Sequence, residues 1–169
     1  MITEKVEKAL NKQMNKEMFS ANLYLSMSAY CADQNFDGFA KWMFVQYQEE
    51  ISHAMKLFSY INDRGGRVIL ESIDKPKSEW ESILNVFEET LDHEREISAS
   101  VNELTDIAIN EKDHATVNFL QWFISEQVEE EATVSEIVSQ IEMVKDHPHS
   151  LFVINKELGN RTFVDPNEE

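Results

Sequence analysis

The sequence is short of cysteine, glycine and proline. Among its 169 residues there are one cysteine, 4 glycines and 3 prolines. The single cysteine, Cys31, excludes an internal disulfide. So few chain breakers, together with 42% hydrophobic residues, favour long helices, and no alternating strand pattern competes with them. We therefore predict an all-α protein that folds as a single domain over residues 1–169.

Long hydrophobic runs and basic residues are also scarce. No uninterrupted apolar stretch approaches the roughly 20 residues that a membrane span needs. The N-terminal stretch from Met1 to Lys5 lacks the apolar segment of a secretory signal. The 32 acidic residues outnumber the 15 basic ones, which gives a formal net charge of -17. This charge disfavours nucleic acids and anionic membranes as partners and favours cations, so we expect a cytoplasmic protein that binds neither nucleic acid nor membrane.

Breakers divide the chain into four long helices and one short helix. A polar turn at residues 34–38 follows the first helix, two glycines follow the second, and residues 111–112 separate the third from the fourth. We predict a four-helix bundle over about residues 3–145 and a short fifth helix over about residues 148–159. The fifth helix is apolar all round. We expect other subunits to bury it, with a lid on its own bundle as the alternative.

The connection between the second and third helices is long. Helical periodicity resumes only at Ser78-Glu79-Trp80, well after Gly66. Roughly 13 extended residues reach about 43 to 47 Å, and a helix of about 27 residues is near 40 Å long. The connection is therefore long enough to cross the whole bundle, which predicts a four-helix bundle with a long crossover between helices two and three.

The inward stripe of each long helix is apolar at both ends and polar at its centre. Read at steps of three and four residues, the polar breaks bring Glu17, Glu50, Glu94 and Glu130 to one level, one from each helix. His53 shares a helix face with Glu50. Four ionised carboxylates in one core would repel each other, so cations must neutralise them. The ligand set indicates a dinuclear site that suits iron and also admits manganese or zinc.

Several segments resemble the prokaryotic non-haem ferritins, and the resemblance covers essentially the whole chain. They are Asn22-Leu23-Tyr24-Leu25-Ser26-Met27, Gln48-Glu49-Glu50-Ile51-Ser52-His53-Ala54, Arg64-Gly65-Gly66, Asn118-Phe119-Leu120-Gln121-Trp122-Phe123 and Glu126-Gln127-Val128-Glu129-Glu130-Glu131, together with the fifth helix. The resemblance implies a ferritin-like fold and an iron-storage function. A homo-oligomeric cage of 24 subunits would act as a ferroxidase, using dioxygen or hydrogen peroxide to oxidise Fe(II) to Fe(III), and would store the product as a mineral.

The resemblance also implies how the dinuclear site works. Glu17, Glu50 and His53 would hold one iron, while Glu50 would bridge to a second iron held by Glu94 and Glu130. The centre would therefore take up two Fe(II) per subunit.

Further residues around this centre gain roles from the same resemblance. Gln127 would lie beside these ligands and is counted with them as a metal-binding and catalytic residue. Tyr24 would either hydrogen-bond a ligand or donate an electron, with a purely structural core tyrosine as the alternative. A third iron site on the cavity side would be formed by acids off the inward stripes, namely Glu49, Glu126 and Glu129 with help from Glu130.

The chain departs from two related groups of proteins. Haem-containing bacterioferritins and many di-iron oxygenases repeat Glu-x-x-His on a second helix, whereas this chain has Gln127-Val128-Glu129-Glu130 there. The second iron lacks an imidazole and is expected to be held more weakly, which suits storage. The haem-ligating methionine of bacterioferritins would fall at Ile51, whose side chain cannot bind iron, so we expect no haem.

Other classes of function remain as alternatives. A di-iron peroxidase or oxygenase of the ferritin-like superfamily would retain its metal. Such a protein is expected to carry a second Glu-x-x-His and often a cysteine-ligated electron-transfer module. A chain with only Cys31 has neither. A metal-free acidic interaction protein is disfavoured by the four inward carboxylates. A DNA-binding mini-ferritin is disfavoured by the acidity and by the fifth helix.

Overall fold

The structure is a computed structural model that describes residues 2–165. These described residues form five α-helices and no strand, which confirms the predicted all-α class. The helices are α1 (Glu4–Asp33), α2 (Asp37–Asp63), α3 (Ile83–Asn110), α4 (His114–Val144) and α5 (Pro148–Leu158). Within residues 2–165 no helix combines the length and the apolar character needed to cross a membrane.

Side-chain caps set the start of three long helices. Thr3, Ser82 and Asp113 each accept a hydrogen bond from the backbone amide three residues further along the chain. Each cap satisfies an amide that has no partner within the helix itself. The cap at Ser82 shows that α3 begins at Ile83, so the prediction that helical structure resumes at Ser78 is wrong.

A buried tryptophan explains that error. Trp80 lies in the extended segment before α3 and is only 7% exposed. Its carbonyl accepts a hydrogen bond from the Tyr30 hydroxyl at 2.8 Å, and its indole donates to Glu89 at 2.9 Å. The apolar signal near Ser78 therefore comes from a residue that packs on the bundle from a non-helical segment.

The connection from α2 to α3 runs along α1, as the predicted long crossover requires. The side-chain amide of Asn11 donates to the Arg67 carbonyl at 2.9 Å, and its oxygen accepts from the Ile69 amide at 2.7 Å. Asn15 repeats this pattern one turn later with the Ile69 carbonyl and the Glu71 amide, both at 2.9 Å. Two asparagine side chains thus supply the hydrogen bonds that the extended backbone would otherwise lack.

Two apolar clusters fill the bundle, one towards each end. One contains Phe39 and Phe87, and the other contains Leu10 and Leu120. Along every long helix, the residues of one cluster are separated from those of the other by the position of the predicted inward glutamate. The bundle therefore has an apolar cluster towards each end and a layer of buried glutamates between them.

Helix α5 packs one face on its own bundle and leaves another face exposed. The Asn155 side chain accepts a hydrogen bond from the Phe39 amide at 3.0 Å. A Cβ at Gly38 would lie 1.6 Å from the Asn155 carbonyl oxygen, so this close approach requires glycine. On the other side, Phe152 and Val153 are 50% and 51% exposed. The inner face of α5 thus packs on its own bundle, as the lid alternative predicted. Burial of the outer face by other subunits remains a prediction.

Candidate metal centre

Each of the four long helices places one glutamate in the polar layer. Glu17, Glu50 and Glu94 are at most 1% exposed and Glu130 is 7% exposed, while His53 is 2% exposed. The helical period turns these positions towards the bundle axis, and apolar residues above and below exclude water. The four buried carboxyls that the sequence analysis placed in the core all lie there, together with the imidazole.

The part of the centre formed by α1 and α2 has ligand atoms without partners. We call Glu17, Glu50 and His53 the α1/α2 half; one ligand atom from each lies within 4.8 Å of the others. Among residues 2–165, the buried side-chain atoms that no group outside this half satisfies are Glu17 Oε2, Glu50 Oε2 and His53 Nε2, although the Glu17 and Glu50 carboxyls share a hydrogen bond when one of them is protonated. Buried polar atoms without a partner are rare and costly. A cation fits all three, since carboxylate oxygen and imidazole nitrogen are both ligands of iron and zinc.

The part formed by α3 and α4 is held by hydrogen bonds. We call Glu94 and Glu130 the α3/α4 half. The Tyr24 hydroxyl donates to Glu94 Oε1, and Gln127 Nε2 donates to Glu94 Oε2 at 3.1 Å. Gln46 Nε2 donates to Glu130 Oε2 at 2.6 Å. Of the two roles considered for Tyr24, the structure shows the hydrogen bond to a candidate ligand, made by a side chain that is also fully buried.

Burial makes the carboxyls of the centre difficult to ionise. It raises the pKa of Glu17 to about 7, despite an opposing hydrogen bond from Gln13. Burial and the charges of neighbouring carboxylates raise the pKa values of Glu50 and Glu130 well above the usual range, and burial also raises that of Glu94. Metal that binds here must therefore displace protons.

The pKa of the imidazole of the centre is shifted in the opposite direction, downwards. Burial lowers the pKa of His53 to about 4. The ring is therefore neutral at neutral pH, the state in which histidine binds a metal. Its Nδ1 lies 3.4 Å from Glu50 Oε2, and its Nε2 is the nitrogen without a partner.

Only some of the acids expected at the third iron site lie close together in the structure. Glu126 forms a second group with His53 and Glu130, in which one ligand atom from each lies within 4.8 Å of the others. Neither of the two groups found among residues 2–165 includes Glu49 or Glu129. Glu129 is exposed, and Glu49 is engaged elsewhere, as described below. The third site therefore stays a prediction.

Three residues that support the ligands were not identified from the sequence, namely Gln13, Gln46 and Arg161. Gln13 Nε2 donates to Glu17 Oε1 at 2.8 Å, and Gln46 donates across the bundle to Glu130. A signal was available for both glutamines, because each is a polar residue in the inward stripe one turn before a glutamate. No comparable signal marks Arg161, which follows α5 and donates to both Gln46 and Glu49.

Comparison with known proteins gives matches along almost the whole chain. Residues 7–144 match the family described as ferritin-like domain. The chain is 42% identical to a bacterial non-heme ferritin of Staphylococcus epidermidis, over 96% of this chain and 98% of that protein. It is 43% identical to a probable bacterial non-heme ferritin-like protein of Haemophilus influenzae, over 95% and 97% respectively. A solved structure of an open-pore ferritin from Archaeoglobus fulgidus matches with a TM-score of 0.95 and 46% identity, over 96% of this chain and 100% of that chain.

Proposed function

Because the chain belongs to the ferritin family, as a non-haem ferritin of the prokaryotic type, we propose that it stores iron and that its buried centre is a ferroxidase. One observation carries this proposal. Glu17, Glu50 and His53 each keep a buried ligand atom without a partner, although buried polar groups are normally hydrogen-bonded. A bound cation removes that cost, so the folded chain is arranged to receive metal in the α1/α2 half.

Iron is the substrate of this centre. Glu17 and His53 would hold the first Fe(II), Glu94 and Glu130 would hold the second, and Glu50 of the α1/α2 half would be the ligand that both share. Each Fe(II) loses one electron, and a pair therefore supplies the two electrons that, with two protons, reduce dioxygen to hydrogen peroxide. That peroxide can oxidise a further pair of Fe(II) and, with two more protons, is reduced to water.

The α3/α4 half favours release of its product. Tyr24 and Gln127 orient the carboxyl of Glu94, and Gln46 orients that of Glu130. With Glu130 where related enzymes have a second imidazole, this half itself supplies Fe(III) only with carboxylate oxygens, and the one imidazole nearby, His53, comes from α2. Oxidised iron held in this way is free to move on to a mineral, whereas an enzyme that keeps a di-iron cofactor needs to retain both ions.

A hollow assembly is the second part of the proposal. The relative from Archaeoglobus fulgidus is described as an open-pore ferritin. We propose that this chain also forms a cage, of 24 subunits, in the cytoplasm. Exposed apolar side chains support association of copies, since monomers rarely expose many of them together. They include Phe44, Met55 and Phe58 on α2 and Phe152 and Val153 on α5, each between 37% and 51% exposed.

The proposal is tested by iron loading of the purified apoprotein. Fe(II) is added in increments without oxygen, oxygen is then admitted, and absorbance, oxidised iron per subunit and particle size are followed. Fast oxidation of about two to three irons per chain, followed by loading of hundreds or more in a large particle, supports storage. Saturation at about two irons in a small oligomer contradicts it and favours a di-iron peroxidase or oxygenase.

A further inference from the structure

The segment after α5 returns across α2 and places an arginine beside the metal centre. Arg161 Nη1 donates to Gln46 Oε1 and Arg161 Nη2 donates to Glu49 Oε2, both at 2.5 Å. The guanidinium carbon lies 4.4 Å from the centre of the Trp42 ring. Three different groups on α2 therefore hold the fork of this one side chain, and such a fit is specific to the planar guanidinium.

One of these contacts reaches a candidate iron ligand. Gln46 is fully buried, accepts from Arg161 through its side-chain oxygen and donates through its nitrogen to Glu130. An amide can turn over and exchange its oxygen and nitrogen, but only one orientation satisfies both neighbours. Arg161 thus fixes the orientation in which Gln46 donates to Glu130.

The other contact occupies an acid of the predicted third site. The Arg161 and Glu49 side chains are 25% and 19% exposed, so this ion pair is partly accessible to solvent, unlike the buried carboxyls of the centre. Burial raises the pKa values of Glu126 and Glu130, and the charge of Arg161 opposes the rise in both. The guanidinium therefore acts as a cation for acids on α2 and on α4, although it binds only Glu49 directly.

We propose that Arg161 is the internal counter-cation of the third iron site and that iron must displace it from Glu49 in order to bind there. This inference rests on the proposed function, because it assigns Arg161 a part in passing iron from the centre to the mineral. Competition by Arg161 weakens the third site. Iron that has left the dinuclear centre is then held only briefly beside it, and the guanidinium returns to Glu49 when the iron moves on.

Removal of the guanidinium tests this competition directly. In Arg161→Gln, the third equivalent of Fe(II), titrated without oxygen and followed by calorimetry, is expected to bind about tenfold more tightly, since a charge-assisted hydrogen bond no longer has to be broken. Arg161→Lys keeps the charge without the fork and is expected to give a smaller gain. Arg67→Gln, at an exposed arginine before α3, is the matched control and is expected to leave the third equivalent unchanged.

A double-mutant cycle shows whether the effect passes through Glu49. In the Glu49→Gln background, Arg161→Gln is expected to give a clearly smaller gain in affinity, because the ion pair is already absent and only the longer-range effect of the charge on Glu126 and Glu130 is left. A third equivalent that binds no more tightly in Arg161→Gln, or a gain that is undiminished in the Glu49→Gln background, overturns the inference. Particle size and helicity of each variant are measured first, so that Arg161→Lys can replace a variant that does not assemble.

The same titration separates this inference from the proposed function. The two tightest equivalents report the dinuclear centre in the parental protein. If they are missing there, the storage proposal fails before the third equivalent is considered. If they are present and the third equivalent does not respond to Arg161, only the counter-cation role fails.

Discussion

The two halves of the metal centre differ in how the folded chain holds their ligands. In the α1/α2 half, Glu17, Glu50 and His53 each keep one buried atom without a partner. In the α3/α4 half, Tyr24 and Gln127 occupy both carboxyl oxygens of Glu94. A cation that enters either half must displace protons, but in the second half it must also compete with the Tyr24 hydroxyl and the Gln127 amide for both oxygens of Glu94. The hydrogen bonds thus favour filling of the α1/α2 half first.

The largest effect is expected where the two halves meet. Glu50→Ala should slow fast Fe(II) oxidation by about 1000-fold, or about 4 kcal/mol in barrier, because in the proposed centre both irons share this carboxylate. The bundle should remain folded, since the substitution also removes a buried carboxyl that is costly to ionise. Stopped-flow absorbance after mixing with oxygen measures the rate, and circular dichroism checks the fold. Glu88→Ala, at an exposed carboxylate of α3, is the control. Oxidation by Glu50→Ala at the parental rate would show that the proposed centre is wrong.

Affinity measurements sharpen the comparison between the halves. His53→Ala should weaken the tightest Fe(II) equivalent by about 10- to 100-fold, since it removes the imidazole of the α1/α2 half. Gln127→Ala should leave that equivalent within about twofold and affect the second one, because Gln127 contacts only the α3/α4 half of the centre. Calorimetric titration without oxygen measures both. If Gln127→Ala weakens the tightest equivalent as much as His53→Ala does, the order of filling inferred here is reversed or absent.

The smallest effect concerns stability without metal. The pKa of Glu17 is about 7 in the folded chain, against an ordinary value of 4.5. The folded state therefore binds more protons between these values, and Glu17 destabilises the fold as pH rises through this range. Relative to Glu17→Gln, the parental protein should lose about 2 kcal/mol between about pH 5 and about pH 7.5. The pH dependence of His53 is common to both proteins. Burial and the charge of Glu17 raise the pKa of Glu50, so Glu17→Gln also makes Glu50 easier to ionise, and the comparison reports the two carboxyls together.

Unfolding of the metal-free proteins at the two pH values provides the measurement. As pH rises, the free energy of unfolding of Glu17→Gln should increase relative to that of the parental protein. Added Zn(II) should reduce this difference, since it binds the ionised carboxylate of the parental protein. A stability difference that is constant with pH would mean that the Glu17 carboxyl is already ionised without metal.

Much of the centre was predictable because a charge in a buried helical stripe is a strong local signal. Glu17, Glu50, Glu94 and Glu130 interrupt apolar periodicity, and that periodicity alone places them inside. The same logic failed at Trp80, whose apolar side chain packs on the bundle from an extended segment. Hydrophobic character indicates burial, but it does not say which type of backbone carries the residue there.

The hydrogen bonds around the ligands were not predictable in the same way. Gln46 lies one turn before Glu50 on α2, yet it donates to Glu130 on α4. Such a contact depends on how two helices are rotated and offset against each other, which the period of either helix does not specify. The position of Arg161 depends in addition on where α5 docks, and that is set by the close approach of Asn155 to Gly38.

The sequence by itself therefore determined the helices and the inward position of the carboxylates, because each follows from the order of polar and apolar residues along one helix. Only the tertiary structure decided which ligand atoms stay free, which are held by Tyr24, Gln46 and Gln127, and where Arg161 places its charge. The physical reason is that hydrogen bonds act over about 3 Å. Their partners are chosen by the relative placement of separate helices, which arises only when the bundle packs.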